Sequence, residues 1–146
     1  VYKRQDRYYA PAIKEFQMAV LLDPNTQASS VYYANLANCY MKIGYPALAQ
    51  DTLQRAIKLN PMNFGLYQDL AVVYKRLGIG SQKIKTYKKE SEKNPLAQVM
   101  VGMILMEQGK TDEGLAKLQE FAYTEPDLII TKGVQKYIDE HTKEKF

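Results

Sequence analysis

The sequence is poor in the residues that perform chemistry. Among 146 residues there is one cysteine, one histidine and no tryptophan. A lone thiol, Cys39, cannot close an internal disulfide, so the fold does not depend on an oxidising compartment, and a cytoplasmic setting is preferred. Cys39 and His141 lie far apart in sequence, whereas a metal needs several clustered ligands. No apolar run approaches the roughly 18 residues of a membrane-spanning helix, so membrane insertion is not expected. No secretory h-region and no glycosylation sequon is visible. Gly78-Ile79-Gly80-Ser81 lacks the spacing of a phosphate loop and has no strand before it. The paired carboxylates Asp112-Glu113 fall where a helix begins, a position that favours negative charge without catalysis. No enzyme and no cofactor is expected. Charge of either sign is also modest. Lys and Arg total 20 against 16 Asp and Glu, a net charge of +4 that permits an acidic partner without demanding nucleic acid.

What remains is ordinary for a globular chain, with 46% hydrophobic and 25% charged residues, enough to bury a core. Tyrosine supplies 12 residues and phenylalanine 4. Tyrosine suits surfaces that are packed on one side and wet on the other. The first residue is Val1, not Met, which reads as a chain cut from a longer one and leaves a secretory leader open. Val1-Tyr2-Lys3-Arg4-Gln5 resembles a translated sequencing-adapter tail, and these five residues are expected not to be native.

The chain is organised by an internal repeat. Prolines in Asp23-Pro24, Asn60-Pro61, Asn94-Pro95 and Glu125-Pro126 are spaced 37, 34 and 31 residues apart. A residue before proline is steered out of the α region, so each pair marks a helix end. Ala19, Ala56, Glu90 and Phe121 lie five residues before these prolines, and Phe16, Leu53, Tyr87 and Leu118 lie eight before. Ala12, Ala49, Lys83 and Gly114 lie twelve before, and Gly44, Gly78 and Gly109 seventeen before. The block from glycine to proline is therefore constant, and the length differences fall near residues 25–30 and 96–101. Tyr33, Leu36, Ala37 and Tyr40 have helical spacing, repeated as Tyr67, Leu70, Ala71 and Tyr74. Glycine then supplies a left-handed C′ residue, and a second helix follows with Leu48, Ala49, Thr52, Leu53 and Ala56 on one face.

These residues resemble the tetratricopeptide repeat. The match is densest over 30–63, through Tyr33, Leu36, Ala37, Tyr40, Gly44, Ala49, Leu53, Ala56 and Pro61. The resemblance implies an all-α fold, an α-solenoid of antiparallel helix hairpins wound as a right-handed superhelix, with a C-terminal capping helix. The expected organisation is a single domain over 1–146. Within it, 7–26 is the second helix of a truncated repeat, 30–63 and 64–95 are repeats, and 96–126 is a short divergent repeat. Residues 127–141 are a capping helix or the start of a further repeat, with Ile130, Val134, Tyr137 and Ile138 on one face. Thr142 to Phe146 reads as a polar tail with one final aromatic. Lys83 and Glu90 stand where the family has small alanines, which predicts looser, wetter packing in that hairpin with the Lys83 stem snorkelling.

The same resemblance implies a concave groove lined by the first helix of each pair. In one unit its residues are Val31, Ala34, Asn35, Asn38, Met41 and Lys42. In the next they are Gly65, Gln68, Asp69, Val72, Lys75 and Arg76. Side-chain amides there can hold a peptide backbone through both donors and acceptors. The family's carboxylate clamp of basic residues is missing, since Gly65 and Asp69 stand in its place and Asp69 would repel a carboxylate. Met100, Met103 and Met106 read either as core or as a soft apolar floor to the groove, with Met103 a candidate contact. The basic stretch 83–93 carries only Tyr87 among its lysines, too little aromatic surface for single-strand binding. The expected function is a protein–protein interaction scaffold that binds a peptide or helix of a partner, with the oligomeric state left open. An accessory recruitment domain of a larger enzyme or envelope-assembly protein is the alternative, and nucleic-acid binding is the weakest reading.

Overall fold

The structure, a computed structural model, describes residues 2–143, with side chains from 7 to 143. The side chains of the adapter-like residues 1–5 and the closing Phe146 lie outside the described residues. The described residues form eight α-helices: α1 (Tyr2–Leu22), α2 (Ser29–Lys42), α3 (Pro46–Leu59), α4 (Phe64–Leu77), α5 (Gly80–Glu90), α6 (Leu96–Glu107), α7 (Thr111–Thr124) and α8 (Ile129–Thr142). They divide into two compact units, Val1–Pro61 and Met62–Phe146.

Each expected glycine stop is a left-handed residue. Gly44, Gly78 and Gly109 have φ of 88°, 72° and 79°. The hydrogen bonding is the same at all three. The glycine N–H donates to the carbonyl three residues back, and the next N–H donates to the carbonyl five back, as in Tyr45 to Tyr40, Ile79 to Tyr74 and Lys110 to Leu105. This is the Schellman closure, which satisfies carbonyls that a helix end would otherwise leave unpaired. Asn60 and Glu125, each just before a proline, are the C-caps of α3 and α7.

In the first unit α2 packs against both α1 and α3. The extra residues between α1 and α2 are held by their own side chains. Thr26 Oγ1 donates to Asp23 Oδ2 at 2.8 Å, Ser29 Oγ donates to the Asp23 carbonyl, and Ser30 Oγ donates to the Gln27 carbonyl at 2.6 Å. Arg55 reaches across to Asn25, and Gln27 Nε2 donates to Asn60 Oδ1 at 3.3 Å, tying the loop to α3 and its C-cap. Ser29 and Ser30 are both buried, so these bonds satisfy groups that water cannot reach. The entry to α8 repeats the device, with Thr131 Oγ1 donating to the Glu125 carbonyl six residues back.

Hairpin packing follows the residue at one pair of repeat positions. In α2–α3 these are Ala37 and Ala49, both buried. In α6–α7 they are Gly102 and Gly114, which press together. A Cβ built on Gly102 would lie 2.7 Å from Leu118 Cδ2 and 3.3 Å from the Gly114 carbonyl oxygen, and one on Gly114 would lie 3.0 Å from the Gly102 carbonyl oxygen. In α4–α5 the pair is Ala71 and Lys83, and these helices pack least closely of the three. The gap holds a tyrosine pair, with Tyr74 and Tyr87 hydroxyls 2.8 Å apart and the Lys83 ammonium 5.5 Å from the Tyr74 ring centroid. The looser hairpin expected from Lys83 thus forms around a polar contact.

The core of the second unit is α6. Ala97 and every residue from Val99 to Leu105 are buried, because α4, α5 and α7 all pack against it. A helix apolar all round has no free face. Met103, expected as a groove contact, is therefore a core residue at 3% exposure, and Met100 is buried beside it. α8 packs against α7 with Ile130, Val134 and Ile138 buried, and it also reaches α4. There Phe64 and Tyr137 meet edge to face, with centroids 5.5 Å apart, over Gly133. In α3, Ala49, Leu53 and Ala56 are buried as expected, but Leu48 faces solvent.

Two substitutions test this packing. Ala49→Asp places a carboxylate in a buried contact and should lower stability by about 3–5 kcal/mol; unchanged helix content and melting by circular dichroism would contradict it. Gly102→Ala should cost about 1–3 kcal/mol through overpacking against Leu118 and the α7 backbone, read from urea unfolding of the whole chain.

Candidate functional site

The reactive groups are withdrawn from solvent or already engaged. Cys39 is buried, and desolvation pushes its thiol above the ordinary cysteine value, which suppresses the nucleophilic thiolate. His141 Nδ1 sits 2.8 Å from the Tyr137 carbonyl, and its ring lies against Tyr137 at 3.9 Å. Among the described residues no group of three His, Cys, Asp or Glu could hold a metal ion. Nor is any described helix long and apolar enough to cross a membrane.

The expected groove residues fall on helix faces that remain accessible. On α2, Val31, Asn35, Asn38 and Lys42 are exposed along one side, with Ala34 and Met41 half-buried between them. On α4, Asp69, Val72, Lys75 and Arg76 are exposed, and Gly65 and Gln68 are half-buried. The α4 stripe connects two depressions within the second unit. One, about 410 Å³, lies at the start of α4 and is lined by Gly65 and Gln68 against Gly133, Lys136, Tyr137 and Glu140 of α8. The other, about 620 Å³, lies at the ends of α4 and α6, where Ala71 and Lys75 face Met106, Glu107 and Gln108. There Gln108 Nε2 donates to Ser81 Oγ at 3.1 Å. Its buried Oε1 has no hydrogen-bond partner among the described residues. Between the depressions, partial desolvation raises the Asp69 carboxyl above the ordinary aspartate value. Asn63 caps α4 by accepting from the Gly65 N–H at 3.0 Å, which fixes the start of the stripe.

The opposing walls leave no periodic signal in the sequence. Lys136, Tyr137 and Glu140 become neighbours of Gln68 only because α8 returns to α4, and Glu107 and Gln108 line the other depression through the α4–α6 contact. A Cβ on Gly133 would lie 3.1 Å from Phe64 Cβ, so glycine at that position permits the close approach of α8 to α4.

The basic stretch offers little to nucleic acid. Lys85, Lys88, Lys89 and Lys93 are exposed, but Lys83 leans on Tyr74 and the Tyr87 hydroxyl pairs with the Tyr74 hydroxyl. No aromatic ring of α5 is presented flat to solvent for stacking.

Residues 31–63 match the tetratricopeptide repeat family. The chain carries a tetratricopeptide repeat at these residues. Solved structures agree in fold. A crystal structure of MamA protein is 27% identical at a TM-score of 0.50, with 80% of this chain and 64% of that chain covered. The present sequence thus spans less than two thirds of that relative's length. A further MamA crystal structure is 19% identical at a TM-score of 0.52, covering 99% of this chain and 95% of that one. TTC0263, a thermophilic tetratricopeptide-repeat protein of Thermus thermophilus, is 19% identical at a TM-score of 0.51, covering 89% of this chain and 71% of that one. No curated protein matches the sequence. The fold is an all-α helical-repeat solenoid, an architecture used as a protein-interaction scaffold.

The tyrosines inside α4–α5 carry a pH signature. Burial, and secondarily the charge of Glu90, push the Tyr67 hydroxyl up to about 12. Burial also pushes Tyr87 up, with the Tyr74 hydrogen bond as the next cause. A folded-state value above the unfolded one means this contribution is intact below pH ~10 and is lost as pH rises towards 12, at about 1.4 kcal/mol per unit for each tyrosine. Tyr67→Phe should flatten the fall in unfolding free energy over that window, and an unchanged slope would contradict the assignment.

Proposed function

We propose that the chain is a protein-binding module that holds a peptide or helix of a partner against the exposed face of a first helix, α2 in one unit and α4 in the other. One observation carries this reading. The residues at these faces are uncommitted to the core, while the opposite sides of the same helices carry the packing residues Leu36, Ala37, Leu70 and Ala71. Asn35, Asn38 and Gln68 offer paired donors and acceptors suited to a peptide backbone. Val72, exposed on α4, offers a small apolar contact. Lys42, Lys75 and Arg76 add positive charge, and Asp69 adds a negative charge. That mixture favours internal peptide segments of both charge signs and disfavours a C-terminal carboxylate at Asp69.

Selection of peptides from a displayed library against the purified chain, followed by calorimetry, tests the reading. Asn38→Ala with Lys42→Glu, and separately Gln68→Ala with Lys75→Glu, should weaken a selected peptide by at least about tenfold, a loss of roughly 1.4 kcal/mol. Lys88→Glu with Lys89→Glu on α5 should leave binding unchanged. Equal affinity in all three variants would place the contact elsewhere.

A further inference from the structure

The cavity of about 620 Å³ at the ends of α4 and α6 holds acceptors that the chain leaves unmatched. Glu107, the last residue of α6, lines it and is half-buried. Among the described residues its carboxylate makes no ion pair and no hydrogen bond. The position is unfavourable for a lone carboxylate. A helix C-terminus carries partial negative charge and favours a cation, yet the last turn of α6 has no basic residue. Lys110 follows in the turn but does not pair with Glu107. The charge of Glu107 is felt as far as α8, where burial first and Glu107 second push the Tyr137 hydroxyl above the ordinary tyrosine value.

Gln108, the next residue, is unmatched at its oxygen. Its Nε2 donates to Ser81 Oγ at 3.1 Å, and Gly80 leaves room for the amide, since a Cβ there would lie 3.0 Å from Nε2. Its Oε1 is left without a donor among the described residues. That oxygen is closed to water. The terminal amide torsion of glutamine is broad, so a small turn opens the oxygen to a donor entering the cavity. A half-buried carboxylate beside an unpaired amide oxygen calls for a cation with several N–H groups.

We propose that this cavity binds an arginine side chain of the partner peptide, its guanidinium bridging the Glu107 carboxylate and Gln108 Oε1. A guanidinium presents its N–H donors in a planar fork and serves two acceptors at once, whereas an ammonium is a compact, more strongly hydrated charge. Lys75, exposed at the rim of the same cavity, repels a second cation and matches a neutral or acidic neighbour of the arginine. The inference rests on the peptide-binding reading for its partner, and it adds which side chain that partner must carry.

The site is tested without a peptide by titrating the labelled chain with N-acetyl-arginine-N-methylamide and following the Gln108 side-chain amide by NMR. A saturable shift is expected. The lysine analogue and the neutral citrulline analogue should each bind more weakly, by about tenfold or more. Glu107→Gln should weaken the arginine derivative by about tenfold while leaving the fold intact, because it removes an unfavourable charge from the end of α6. Glu107→Lys should reverse the preference towards N-acetyl-glutamate-N-methylamide, which a merely structural role for Glu107 would not do. Equal binding of arginine and citrulline analogues, a Gln108 amide that does not move, or indifference to Glu107→Gln would each overturn the proposal. Library peptides that bind through α2 and α4 without an arginine sensitive to Glu107→Gln would overturn it and leave the peptide-binding reading standing. Failure to select any peptide would sink that reading, while the titration still decides the arginine site.

Discussion

The closeness with which the two helices of a hairpin can cross sets the rest of this structure. The crossing is decided by the side chains at one pair of repeat positions. Two glycines, Gly102 and Gly114, let α6 and α7 pack backbone against side chain, with no room for an added methyl. Two alanines, Ala37 and Ala49, are buried in α2–α3. Where the second position becomes Lys83, the helices part, and the space is filled by hydroxyl pairing between Tyr74 and Tyr87 under the lysine ammonium. Packed interiors tolerate neither voids nor excess volume, so a lysine in place of a small residue is met by a looser hairpin.

The surface available to a partner follows from that packing. The small residues commit one side of each first helix to its own hairpin, which leaves the other side of α2 and α4 to solvent. In the second unit the uniformly apolar α6 is drawn under α4 and α5, and α8 comes back far enough for Tyr137 to meet Phe64. The α4 face is consequently bounded by a depression at each end. The chemistry on offer there is amide, ammonium, guanidinium and carboxylate groups on one helix face.

Much of the fold is legible in the sequence because its determinants are local and recur. The glycine stops and the residues before proline act within a few positions, and they mark the helix ends. The lysine at position 83 forecasts the open hairpin through side-chain size alone. The misreadings have a common physical origin. Spacing points Met103 towards a groove, but a helix surrounded by three others has no exposed stripe for spacing to reveal. Helical phase sets Leu48 at the edge of the buried arc, where phase discriminates poorly. The walls opposite Gln68 and Lys75 come from α8 and α6, helices not adjacent to α4 in sequence, so the spacing within one repeat carries no sign of them. The hydroxyl locks at Ser29 and Thr131 are written in the sequence too, but as isolated polar residues at helix entries they carry no periodic signal.

Amide chemical shifts in an isotopically labelled chain, mapped on addition of a selected peptide, report directly whether the first-helix faces hold it. The perturbed amides and side-chain amides should cluster on one side of α2 and α4, at Asn35, Asn38 and Lys42 and at Gln68, Val72 and Lys75, with α5 and the outer side of α7 unmoved. Shifts confined to α5, or spread through the α6 core with none on α2 or α4, would contradict it.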